Sequence, residues 1–276
     1  MIKFLLLGLG AIAFFCSACN DDVSSAMFDV VMDSSSSVAP VPVEESSSSE
    51  SSSSKGDVSS SSVKSSSSGK NVYSSFLWDG TTDLIGRVET GSPEETSGYW
   101  YDYNDNNYGG TSKYTIPADI VPNESGNFFG PLIDAYGCIR ATITFGEGYE
   151  KPYVGFGFNV WSENQEGVNV SEWGGICLSY QSTIPFVIEL GVEDEELLSE
   201  YAAYRASVPE AKGGSIINIR WEAFSSGCES GPSIYAVLKK VSAIRLKFEG
   251  NAGTTGDIRI QTLGSLYQCS TICKRQ

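Results

Sequence analysis

Five tryptophans and fourteen tyrosines, all beyond residue 72, are the richest supply of chemistry in this 276-residue chain. Aromatic rings stack on the apolar faces of sugar rings, while Asn, Asp, Gln and Arg meet the hydroxyls. Trp100, Tyr101, Tyr103, Tyr108, Trp161 and Trp173 stand beside polar residues or glycines and are the ligand candidates. Trp78 and the run Trp221-Glu222-Ala223-Phe224 read as packing, because an aromatic in a strand is more often core.

Covalent chemistry has little to draw on. Histidine is absent, which removes Ser-His and Cys-His nucleophiles and every histidine-ligated metal site. A two-carboxylate glycosidase needs acids facing each other across a cleft, and the nearest candidates are Glu189, Glu193, Asp194, Glu195 and Glu196. The last four are contiguous and read as a solvated charge run. Asp102-Tyr103-Asn104-Asp105-Asn106-Asn107 alternates oxygen ligands as a calcium loop does, but Asn107 replaces the turn glycine and Lys113 stands where a bidentate Glu is needed. A tight hairpin turn of Asx residues ending in Gly109-Gly110, as the flanking strands predict, is the stronger reading, with a structural calcium as the minority one.

At the N-terminus, Met1-Ile2-Lys3, an apolar stretch from Phe4 to Phe15 and then Cys16-Ser17-Ala18-Cys19 read as a lipoprotein signal peptide over residues 1–18, with Cys19 as the lipid acceptor. Phe14 and Phe15 are too bulky for cleavage before Cys16, which keeps Cys19 the acceptor although a Leu is usual three positions ahead of it. Residues 19–70 carry five runs of four serines and cannot bury enough apolar surface to order themselves, so a disordered tether is expected, reaching roughly 40 Å. The expected location is the cell envelope, at the outer membrane or cell surface, with membrane contact through the lipid alone.

Beyond residue 70 the chain holds 26 acidic against 14 basic residues, a formal charge of −12. That field repels phosphate backbones, so nucleic acid is not an expected partner. Five cysteines remain there, and in an oxidising compartment they should pair. The expected disulfide is Cys138–Cys177, with Cys228 joining Cys269 or Cys273.

Residues 71–276 read as one all-β domain, a jelly-roll β-sandwich with one short helix over 194–205. Period-two runs recur at 99–103, 113–116, 139–145, 153–161, 176–180, 186–190, 215–221, 243–248 and 257–263, divided by Gly, Pro, Asn or Asp. The first of these places Tyr99, Tyr101 and Tyr103 on one face and Trp100 and Asp102 on the other.

Several fragments carry a resemblance in order along the domain: Trp78-Asp79-Gly80, Arg87-Val88-Glu89-Thr90-Gly91, Thr96-Ser97-Gly98-Tyr99-Trp100-Tyr101, Val154-Gly155-Phe156-Gly157-Phe158-Asn159, Trp173-Gly174-Gly175-Ile176-Cys177 and Gly253-Thr254-Thr255-Gly256-Asp257. Together they resemble carbohydrate-binding modules attached to cellulases of rumen cellulolytic bacteria, related to families eleven and thirty. The resemblance implies a galactose-binding-like jelly roll over about 75–265 that holds a glucan without cleaving it. The segment from Cys269 to Cys273 departs from that pattern. The leading expectation is a surface-displayed, non-catalytic polysaccharide binder. The alternatives are a carboxylate-only glycoside hydrolase and a structural lipoprotein that binds another envelope protein.

Overall fold

A computed structural model of the chain describes residues 29–30, 74–83, 85–93, 95–192, 203–227 and 231–269. Cys19, most of the serine-rich segment, Cys228 and Cys273 lie outside those residues, as does most of the expected helix over 194–205. Tyr204 and Arg205, at the end of that expected helix, belong instead to a strand.

The domain is an all-β sandwich of two antiparallel sheets with few short helices, as the period-two runs predict. With strands numbered in chain order, the five-stranded sheet runs β3 (Trp100–Asn104), β6 (Tyr153–Asn159), β11 (Val241–Glu249), β8 (Phe186–Val192), β9 (Tyr204–Val208). The seven-stranded sheet runs β1 (Asp29–Val30), β10 (Ala211–Arg220), β7 (Gly175–Ser182), β12 (Thr255–Ser265), β5 (Ile139–Thr144), β4 (Lys113–Thr115). β2 (Leu77–Asp79) pairs with the C-terminal part of β12, beyond the part that pairs with β5. β1, from the segment read as tether, pairs with Asn218 and Ile217 of β10.

Apolar residues on alternate positions fill the space between the sheets. Ile139, Ala141 and Ile143 of β5 face Val154, Phe156 and Phe158 of β6 and Ile244, Leu246 and Phe248 of β11, all buried. Burying each large apolar side chain contributes about 1.5–3 kcal/mol. Trp78 meets the edge of Trp100 at 5.1 Å, Trp100 meets Phe158 at 5.1 Å, and Phe76 packs on Trp173 at 4.4 Å. A helix not anticipated from the sequence, α1 (Phe129–Tyr136), buries Phe129, Leu132 and Ile133 at helical spacing and stops at Gly137, whose φ of 65° suits a left-handed cap.

The cysteine pairing differs from expectation. The disulfide joins Cys177 to Cys269, and Cys138 is a buried thiol. β12 separates β5 from β7, so Cys138, immediately ahead of β5, and Cys177 of β7 are two strands apart. That is a spacing of roughly 9–10 Å, beyond the ~7 Å a disulfide can bridge. Cys269, four residues past β12, instead falls beside Cys177, which lies opposite Gly264.

Candidate functional site

The outer face of the five-stranded sheet is built from two residue rows that cross all five strands. The first row is Tyr101, Gly157, Arg245, Glu189 and Arg205; the second is Tyr103, Gly155, Lys247, Val187 and Ser207. The alternation that buries Trp100 obliges Tyr101 and Tyr103 to point outward. Each tyrosine then lies over the glycine opposite it. A Cβ on Gly155 would sit 2.0 Å from the Tyr103 ring, and one on Gly157 3.0 Å from that of Tyr101. The Gly-x-Gly pattern of β6 is therefore the floor on which the Tyr-x-Tyr pattern of β3 rests.

The rings continue past the strand. Tyr101 and Tyr103 are 6.3 Å apart, Tyr103 and Tyr153 6.0 Å, Tyr153 and Tyr149 6.0 Å, and Tyr149 stacks on Tyr108 at 5.4 Å. Five tyrosines thus form one connected line, ending at Tyr108, which is 65% exposed.

Beside that line lies a charged cluster. The Lys247 ammonium is 2.8 Å from Glu249 and 3.6 Å from Glu189, and it stands 4.8 Å from the centre of the Tyr153 ring. Arg205 reaches Glu249 at 3.5 Å, and the Arg245 Nε–H donates to the Tyr101 hydroxyl at 3.4 Å. Burial would lower the Lys247 pKa, but Glu189 and Glu249 outweigh it and the net shift is upward. The Tyr103 phenol is pushed well above its usual range, first by burial and then by Glu189. Its hydroxyl has no hydrogen-bond partner among the described residues. The face therefore offers half-buried aromatic rings, tilted to one another by 51°, 49° and 79° along the line, next to donors and acceptors whose charges largely cancel.

The sequence candidates separate on this geometry. Tyr101, Tyr103 and Tyr108 come together on the line. Trp100 and Trp173 are each only 2% exposed and are core residues, so they leave the candidate set. Their polar and glycine neighbours reflect strand alternation for Trp100 and, for Trp173, a 3-10 turn closed by left-handed Gly174. Trp161 is half-buried just beyond the end of β6, at the opposite end of the face from Tyr108. Trp78, Trp221 and Phe224 are buried, as read. Sequence reading passed over Tyr149, Tyr153, Arg245, Lys247 and Glu249. The signal for three of them was the alternation Arg245-Leu246-Lys247-Phe248-Glu249, which sets charges on one face of a strand with an apolar opposite face.

The Asx loop is a single 3-10 turn, Asp105–Tyr108, and not the expected hairpin, because β3 and β4 on either side of it belong to different sheets. Asp105, fully buried, accepts from the Ser112 backbone and hydroxyl at 3.0 and 2.6 Å and from the Tyr153 backbone at 3.2 Å. The Asn104 side chain caps the backbone N–H of Asn106. Those oxygens hold the loop to its neighbours rather than converging on one point.

No family model matches the chain. It is 26% identical over 178 residues to Endoglucanase 3 of Fibrobacter succinogenes, and that match takes in 63% of this chain but 25% of the enzyme. The chain thus spans about a quarter of that relative's length. Among solved structures, it is similar to a family 11 carbohydrate-binding module of a cellulosomal cellulase of Clostridium thermocellum, at 13% identity, with 60% of this chain and 86% of that one covered and a TM-score of 0.36. It is similar as well to a family 30 carbohydrate-binding module, at 8% identity, 64% and 93% coverage and a TM-score of 0.36.

Proposed function

We propose that the outer face of the five-stranded sheet binds a neutral plant cell-wall polysaccharide of the β-glucan type without cleaving it. Lipidated Cys19 and the serine-rich segment would display that face at the cell surface for adhesion or substrate capture. The observation that carries this reading is the line of five tyrosines, two of them held over glycines beside a nearly self-neutralised charge cluster. Flat rings at such spacing match the succession of sugar rings in an extended glucan, and the adjoining ion pairs supply partners for hydroxyls. Identity with part of an endoglucanase supports a role near glucan.

A second reading, hydrolysis, is prompted by Glu189 and Glu249, which lie on either side of Lys247. A glycosidase needs room for the scissile bond between its two carboxyls. Here the Lys247 ammonium stands between them, which favours binding over cleavage. Affinity electrophoresis of the full chain through gels containing mixed-linkage glucan, a soluble cellulose or xylan tests the proposal. Retardation by a glucan that Tyr103→Ala or Tyr153→Ala abolishes is the expected result; uniform mobility in every gel overturns it. Reducing-sugar release that vanishes in Glu189→Gln would establish hydrolysis instead.

A further inference from the structure

The opposite side of the sandwich carries a second concavity. On the outer face of the seven-stranded sheet, β4, β5, β12 and β7 floor a cleft of about 370 Å³, within the range of small-ligand sites. Across its floor Arg140 of β5 lies directly opposite Arg259 of β12, and Arg259 opposite Gln181 of β7. The neighbouring row sets Thr115, Thr142 and Asp257 side by side.

Two arginines facing each other across adjacent strands repel. Neither guanidinium meets a carboxylate among the described residues, although the domain is strongly acidic. Arg140 is held in place by the Tyr136 ring, with its guanidinium carbon 5.2 Å from the ring centre, and the Tyr136 hydroxyl donates to Asp119 at 2.8 Å. Two arginines on facing positions of adjacent strands suit a planar carboxylate, which a guanidinium can grip through two N–H groups.

The rest of the lining suits hydroxyls. The Thr142 hydroxyl donates to Asp257 at 2.6 Å, and the Gln181 amide donates to the Lys212 carbonyl at 2.5 Å, leaving the second Asp257 oxygen and the Gln181 oxygen as acceptors. A peptide carboxylate and a uronate carboxylate meet the arginines and Asp257 alike, but only the sugar acid also brings ring hydroxyls to donate to Asp257 and Gln181.

We propose that this cleft is a second binding site, for a uronic-acid residue of an acidic polysaccharide. It is independent of the tyrosine face and lies on the other sheet.

The test is calorimetric titration of the full chain with a galacturonate pentamer, a neutral glucose pentamer and a glutamate pentamer. Expected are binding of the acidic sugar that weakens with added salt, no Arg-dependent binding of the neutral one, and a loss of about ten-fold or more in Arg140→Gln and in Arg259→Gln. Tyr103→Ala leaves that affinity unchanged, so failure of one site is distinguishable from failure of the other. Chemical-shift mapping on the unaltered protein covers the case of an unfolded variant, with shifts expected at Arg140, Arg259 and Gln181. No binding of the galacturonate, shifts elsewhere, or equal binding of the glutamate pentamer overturns the proposal.

Discussion

The two sheets bury similar apolar residues inward and present very different outer faces. On the five-stranded sheet, glycines let aromatic rings lie down, and lysine and arginine are matched by glutamates. On the seven-stranded sheet, threonines and a glutamine surround two arginines with no carboxylate on them among the described residues. One face has satisfied its charges internally and keeps apolar area for a ligand; the other keeps its charge and lacks the aromatic line. The sheets also differ in what holds them, since the disulfide belongs to the seven-stranded sheet and the partly buried ion pairs to the five-stranded one.

That contrast can be broken from the disulfide first. Its loop has a sequence separation of 92 residues, for which the chain-entropy model gives about 4–5 kcal/mol. Cys269→Ser should lower stability by about 2–5 kcal/mol in denaturant unfolding while leaving glucan retardation of the folded protein intact. Next comes Lys247→Met, which takes from Glu189, 11% exposed, one of the cations around it and leaves Arg245 and Arg205 on the facing positions; a loss of about 1–3 kcal/mol is expected. The double change Lys247→Met with Glu189→Gln should recover part of it, and a double-mutant cycle measures the coupling. Gly155→Ala drives a methyl into the Tyr103 ring, so a cost of about 1–3 kcal/mol and loss of glucan retardation are expected together.

Alkaline pH sharpens the comparison further. Burial raises the Tyr103 phenol, and in the seven-stranded sheet burial raises Tyr180 to about 12. The folded state therefore holds these protons more tightly than the unfolded chain, where tyrosine ionises near ~10. Their contribution is complete below that pH and is lost as pH climbs beyond it. Denaturation midpoints should fall over that range, less steeply in Tyr103→Phe. The smallest effect is of opposite sign: Arg259→Thr relieves like-charge opposition and should raise stability by a few tenths of a kcal/mol in thermal melts.

Strand alternation was readable because it is local. The positions of Trp100, Tyr101 and Tyr103 follow from period two alone, although residue neighbours in sequence misplaced Trp100 and Trp173 as surface groups. Helix α1 was legible in principle from Phe129, Leu132, Ile133 and Gly137, but Pro131 and the preceding loop obscured it. Pairing order is not local. Only the knowledge that β12 enters between β5 and β7 excludes Cys138–Cys177, and only register brings Arg245 and Glu189 opposite each other from strands more than fifty residues apart.

The disulfide has a mechanical consequence. After the edge strand β1, the described chain rejoins the domain at β2, which pairs with β12 at Gly264, and Gly264 is also opposite Cys177. The Phe76 backbone exchanges hydrogen bonds with Ser265, donating to its hydroxyl and accepting from its amide. A pull on the chain ahead of residue 74 is thus delivered to the strand end whose next neighbour is covalently stapled. Under tension β2 can shear away, but β12 cannot peel from β7 behind it, so the load stops at one strand instead of unzipping the sandwich.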